Sequence, residues 1–141
     1  MAEFIADRVI QAPSDAAWRV LADLARWPEW TASMASVDVL TGATPAVGAR
    51  VRVAQPKLPP NVWTITEWKP GAGFAKEMRS TGVHCVATHD IAPHPDGCRL
   101  ILRLTMTGWL GALMARLGAG LTARYMALEA DGLKARAEGA R

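Results

Sequence analysis

The sequence predicts an α+β chain, one antiparallel sheet of six or seven strands with a long amphipathic helix laid against it. Three observations predict it. Between residues 37 and 106, short segments rich in β-branched and alternating residues are separated by Pro/Gly-containing turns. The last third changes to apolar residues at helical spacing, Leu110, Leu113, Met114, Leu117, Leu121, Tyr125 and Leu128, a stripe about 20 residues long. No repeat or flexible linker interrupts the 141 residues, so 1–141 reads as a single domain.

The elements follow in order. Glu3 to Gln11 mixes apolar and charged positions as a half-exposed strand does, and Ala12-Pro13-Ser14 breaks it. Ser14 suits a helix N-cap and Asp15 a first turn. Trp18, Leu21, Leu24 and Ala25 then share a helical face. In Trp27-Pro28-Glu29-Trp30, the proline suits the first turn of a second short helix. Val37 to Leu40 is a strand, Gly42 to Gly48 a loop, and Arg50 to Gln55 alternates with period two until Pro56, Pro59 and Pro60 end it. Val62 to Trp68, Phe74 to Ser80 and Val83 to Ile91 are further strands, with a turn at Pro70 to Gly73. The Pro95-Asp96-Gly97 turn leads into a last strand around Leu100 to Met106. Sequential strands usually pair, which makes one antiparallel sheet. A curved sheet around a helix leaves a space suited to a ligand.

Composition excludes several classes. The 16 basic and 13 acidic residues give +3 without charge blocks, so nucleic-acid binding is not indicated. The longest apolar candidate, Trp109 to Leu121, is too short to span a membrane and contains Arg116. The acid-containing start MAEFIADRV is unlike a signal peptide, and a soluble, cytoplasmic monomer or weak homodimer is the expectation. No CxxC, HExxH, Walker or GxGxxG motif is present, so no metal or cofactor is expected.

Pairing rules locate candidate site residues. A two-residue Asp96-Gly97 turn would set Ile91 opposite Leu102, His89 opposite Leu104 and Ala87 opposite Met106, one apolar face on both strands. His89 then points inward and His84 outward. His89 is either a structural histidine with one satisfied hydrogen bond or a ligand-contacting or proton-transferring group, with no carboxylate directly across from it. The same register puts Cys85 near Gly108 and Cys98 at the turn, about 30 Å apart, so both thiols should be free. Trp63, Ile65 and Met78 share an inner face if Pro70 to Gly73 is a four-residue turn. Ile65 then meets Met78, and Glu67 meets Lys76 as a cross-strand ion pair or an acid–base pair. The other register would turn Glu77 and Arg79 inward. Arg50 and Arg52 face solvent or form a basic rim, and Gln55 shares the inner parity of Val51 and Val53. Tyr125, on the helical stripe, needs a hydroxyl partner from a strand or a ligand. Gly111, Gly118 and Gly120 reflect either close helix–sheet packing or a kink near Gly118 to Gly120 that frees the first part of the helix as a gate.

Several segments are similar to those of a known superfamily: Ile10-Gln11-Ala12-Pro13 with Ala17-Trp18, Leu21 through Trp30, Val47-Gly48, Val62-Trp63 with Thr66-Glu67, Pro70-Gly71, Thr88-His89, Asp96 to Arg99, and the long final helix. They resemble the START-like helix-grip superfamily (SRPBCC), and within it the bacterial polyketide cyclase/dehydrase-type members. The resemblance implies a helix-grip fold, a deep apolar cavity, the WPEW segment near its mouth, and no universal catalytic residue. The expected function is binding of a small hydrophobic molecule, a lipid, polyketide or aromatic. His89, Tyr125, Gln55, Trp63, Met78, Leu104, Met106, Leu117, Leu121 and Trp30 are the expected contacts. The alternatives are a cyclase or dehydratase using His89 as acid–base group, and an interaction module docking through an exposed patch around Trp27 and Trp30.

Overall fold

The computed structural model describes residues 2–41 and 45–139. Gly42, Ala43 and Thr44 of the expected Gly42 to Gly48 loop lie outside the described residues. The chain runs β1 (Ala2–Ile10), α1 (Ser14–Ala22), a 3-10 helix (Leu24–Glu29), β2 (Ser36–Val39), β3 (Arg50–Ala54), β4 (Asn61–Lys69), β5 (Gly73–Ser80), β6 (Val83–His94), β7 (Gly97–Thr107), α2 (Trp109–Leu117) and α3 (Ala119–Gly139). The seven strands form one antiparallel sheet in the order β1-β7-β6-β5-β4-β3-β2. Strand 1 joins the last strand because the helices between β1 and β2 carry the chain across the sheet's face. The result is an α+β helix-grip fold.

Two local expectations are corrected at the start of the chain. Ser14 is the first helical residue rather than the cap, and Pro13 sits at the cap position with no side-chain hydrogen bond. Pro28 lies near the end of the 3-10 helix, which already begins at Leu24.

The last hairpin turns one residue earlier than the sequence predicts, which shifts the cross-strand pairing by two. Pro95 and Asp96 form the loop, and His94 pairs with Gly97. Gly97 has φ +146°, and a Cβ there would lie 2.4 Å from the Ile10 carbonyl oxygen, so only glycine fits this start of β7. His89 therefore opposes Leu102, Ala87 opposes Leu104 and Cys85 opposes Met106. A slip of two residues preserves the side-chain face, so His89 still points inward. Between β4 and β5 a bulge separates Ile65 from Glu67. Ile65 pairs with Lys76, not Met78, and Glu67 pairs with Ala75. The extra residue turns Glu67 outward, where its carboxylate meets Lys69 at 3.7 Å. The expected Glu67–Lys76 pair does not form. Glu77 and Arg79 also face out, in contact with each other and, through Glu77, with His84.

The continuous C-terminal helix expected from the sequence is two helices, divided at Gly118, whose N–H still donates to the Met114 carbonyl. Helix α3 turns Met126, Ala130, Leu133 and Ala137 into the main core, beside Ile10, Leu21, Leu24, Trp27, Ile65 and Leu100. A smaller cluster, Val83, Cys85, Met106 and Ala115, lies under α2. Cys85 and Cys98 are both buried and free. No helix among the described residues is long and apolar enough to cross a membrane.

Candidate functional site

Between the two clusters the sheet and the helices do not meet, and a cavity of about 360 Å3 opens there. This lies within the ~300–1,000 Å3 typical of small-molecule sites. The alternation of each strand supplies its wall. Trp63 comes from β4, Met78 from β5, Ala87 from β6, and Leu102, Leu104 and Met106 from β7. Leu110 and Met114 of α2 and Leu121, Tyr125 and Met126 of α3 face them, and Gln55, Leu58 and Pro59 border the space from the segment after β3.

Of the residues the sequence singles out, His89, Tyr125, Gln55, Trp63, Met78, Leu104, Met106 and Leu121 line the cavity. Leu117 does not. It is 78% exposed, because the break at Gly118 takes it off the row that Leu121 and Tyr125 continue. Trp30 is also outside the lining. Its ring packs 5.6 Å from that of Trp27, and its backbone carries α3 at Gly132. Trp27 is fully buried, 5.3 Å from the His89 ring and 6.0 Å from Phe74. The WPEW segment thus packs behind the cavity's polar end and is neither a lid nor an exposed docking patch. The large exposed apolar side chains of the C-terminal region are instead Trp109, Leu113, Met114 and Leu117 of α2.

The polar groups gather at one end. His89 stacks on Phe74, with ring centroids 4.4 Å apart and 7° between planes. Its Nε2 is 3.1 Å from Oε1 of Glu129, one turn beyond Tyr125 on α3. Nδ1 is buried without a partner among the described residues. A carboxylate oxygen accepts, so Nε2 is the donor in this contact. Lys76, beside this pair on β5, is only 4% exposed. Its Nζ lies 4.6 Å from the Trp63 ring centroid and 5.2 Å from that of Trp27, a sandwich of two indole faces. Burial pulls its pKa down from 10.5 to about 8, against the opposing pull of Glu129. The Tyr125 hydroxyl donates to the Pro56 carbonyl oxygen, tying α3 to the segment after β3. Burial pushes the Cys85 thiol up. No group of three or more His, Cys, Asp or Glu side chains among the described residues could hold a metal ion.

Glu129 is the polar residue that the sequence does not single out, and Lys76 is singled out only as a partner of Glu67. The signal for Glu129 was present, since it continues the Leu121, Tyr125 row by one more i,i+4 step. The unbroken register already gives Lys76 the inward parity of Met78, but sets Glu67 opposite it, where the bulge puts Ile65 instead. Together the three polar groups offer a cation, a hydrogen-bonded imidazole and a carboxylate at the end of an otherwise apolar space. That arrangement can orient a polar head or move a proton.

Solved structures share this fold. The protein TTHA0849 of Thermus thermophilus superposes with a TM-score of 0.78 at 22% identity, over 99% of both chains. A START superfamily protein from Mycobacterium smegmatis gives 0.73 at 15% identity, over 99% of this chain and 98% of that one. The di-domain ARO/CYC StfQ from the steffimycin biosynthetic pathway gives 0.75 at 16% identity, with 97% of this chain matching half of that one. A search of curated proteins finds no match. Residues 1–138 match the family model described as polyketide cyclase / dehydrase and lipid transport, and the chain belongs to that family.

Proposed function

We propose that this chain binds a small, mostly apolar molecule in the cavity between sheet and helices, with the molecule's polar end at Lys76, His89 and Glu129. The observation that carries the reading is the cavity itself, about 360 Å3 with an apolar wall and one polar end. Each 100 Å2 of apolar ligand surface buried there contributes about 2.5 kcal/mol before ordering costs. The family's description, which names lipid transport beside cyclases and dehydrases, supports it. Titration with the fluorescent, uncharged N-phenyl-1-naphthylamine tests it. Saturable one-site binding is expected, weakened at least about tenfold by Ala87→Trp, which fills the wall. Equal binding by a folded Ala87→Trp protein, or none by the wild type, overturns the reading.

One observation favours a second reading, a cyclase or dehydratase. The 3.1 Å contact from His89 to Glu129 is the orienting contact an acid–base histidine needs. Such a pair would take a proton from a carbon flanked by carbonyls and return one to the oxygen of the carbonyl attacked. A poly-ketone recovered from the protein with one water fewer, and unchanged from His89→Gln, would establish turnover. Recovery unchanged from both leaves carriage.

A further inference from the structure

We propose that the cavity's ligand carries an anionic oxygen on its apolar body, a carboxylate, sulfonate or ionised enol or phenol, and that the Lys76 ammonium receives it. This rests on the cavity-binding reading above and narrows its chemistry.

The chain treats its other lysines differently. Lys69 meets Glu67 and Lys134 meets Glu138, and Lys57 is exposed. Only Lys76 is buried. A buried structural lysine is ordinarily held by a carboxylate, since an uncompensated interior charge is costly. Among the described residues Lys76 Nζ has no hydrogen bond and no ion pair. Glu129 acts on it only through space, and the carboxylate's Oε1 is engaged by His89. The two indoles cover the ammonium from the sides and hold its stem, but ring faces do not replace an oxygen acceptor. Lys76 also borders the cavity, so its unused N–H groups adjoin the space a ligand would fill. An anionic oxygen supplies what the fold omits, and the apolar wall takes the rest of the molecule.

A pH dependence follows. The titratable or charged side chains facing this space are Glu129 and Tyr125 from α3 and His89 and Cys85 from β6, while Arg103 of β7, whose backbone borders it, turns its side chain outward to Glu3. Only Lys76 among them is shifted to about 8. A permanently ionised ligand therefore binds fully below pH 8 and loses affinity above it, as the ammonium gives up its proton.

The test is a matched pair of probes, 8-anilinonaphthalene-1-sulfonate and the uncharged N-phenyl-1-naphthylamine, which share a ring system. The wild type should prefer the sulfonate. Lys76→Met should reduce that preference at least about tenfold, and Lys76→Gln should do the same should the methionine variant not fold. In the wild type, which needs no substitution, the preference should fall as pH rises from 7 to 10. A preference that is independent of pH and the same in the variants overturns the proposal while leaving cavity binding intact. Failure of the wild type to bind either probe overturns both.

Discussion

Lys76 occupies a strand position whose inward neighbours, Phe74 and Met78, are apolar, and the ammonium is consequently a burden on the fold. Its pKa of about 8, against 10.5 for a free lysine, states the burden as a proton equilibrium, with burial as the larger cause and Glu129 opposing it. Between pH 8 and 10.5 the unfolded chain keeps the proton that the folded chain has released. Stability therefore rises with pH through that window, and below pH 8 the whole penalty is present. Its size is about 3 kcal/mol. Lys76→Met removes the charge and keeps most of the stem. It should be more stable than the wild type at pH 7, by up to about 3 kcal/mol, and the gain should shrink toward nothing near pH 10.5. Urea unfolding at pH 7, 9 and 10 measures this. A variant less stable than the wild type at pH 7 would mean that the two indole contacts outweigh the desolvation.

Helix α3 is held by contacts that the sequence shows unevenly. Its apolar rows follow from helical periodicity, and the inward parity of β6 and β7 survives the two-residue shift in pairing because side chains alternate with period two. What does not follow from periodicity is any feature set by one extra residue or one close approach. The bulge beside Ile65 sends Glu67 out and leaves Lys76 without its expected partner. Gly118 divides the helix, while Gly111, also suspected of close packing, has its nearest neighbours at an ordinary 3.8 Å. The close approach is at Gly132, which carries no sequence signal. A Cβ there would sit 2.0 Å from the Trp30 carbonyl oxygen, a backbone atom that cannot move aside without the 3-10 helix following. Gly132→Ala gains helix propensity worth about 1 kcal/mol, yet should lose about 1–3 kcal/mol or more to overpacking. Gly120→Ala is the control on the same helix, since a Cβ there meets nothing within 4 Å. It should be stabilising by up to about 1 kcal/mol. Thermal and urea unfolding of the pair would show opposite signs. Stabilisation by both would mean that α3 sits farther from Trp30 than the geometry indicates.

Across the whole molecule, the same sheet closes on a solid half and a hollow half. In the solid half Ile10, Leu21, Trp27, Leu100 and Leu133 pack fully buried around the middle and end of α3. In the hollow half α2 and the start of α3 face Trp63, Met78, Leu104 and Met106 across open space. Fewer packed neighbours should mean lower local stability, as binding sites generally require. The two cysteines report on the two halves. Cys98 is completely inaccessible and opposes Pro93 in the solid half, and Cys85 borders the cavity opposite Met106. Burial raises both thiols above their ordinary pKa, so intrinsic reactivity favours neither strongly, and labelling must await an opening of the structure. N-ethylmaleimide at pH 7.5, read by mass spectrometry of the two peptides, should modify Cys85 at least about tenfold faster than Cys98, because the hollow half opens at lower free energy. Saturating N-phenyl-1-naphthylamine should slow Cys85 and leave Cys98 nearly unchanged, since a ligand stabilises against those openings that release it. Equal rates for the two thiols, slowed equally by the probe, would instead mean that the molecule opens only as a unit. Ligand entry would then require unfolding of the solid half as well, and the division of the sheet into two halves would have no dynamic consequence.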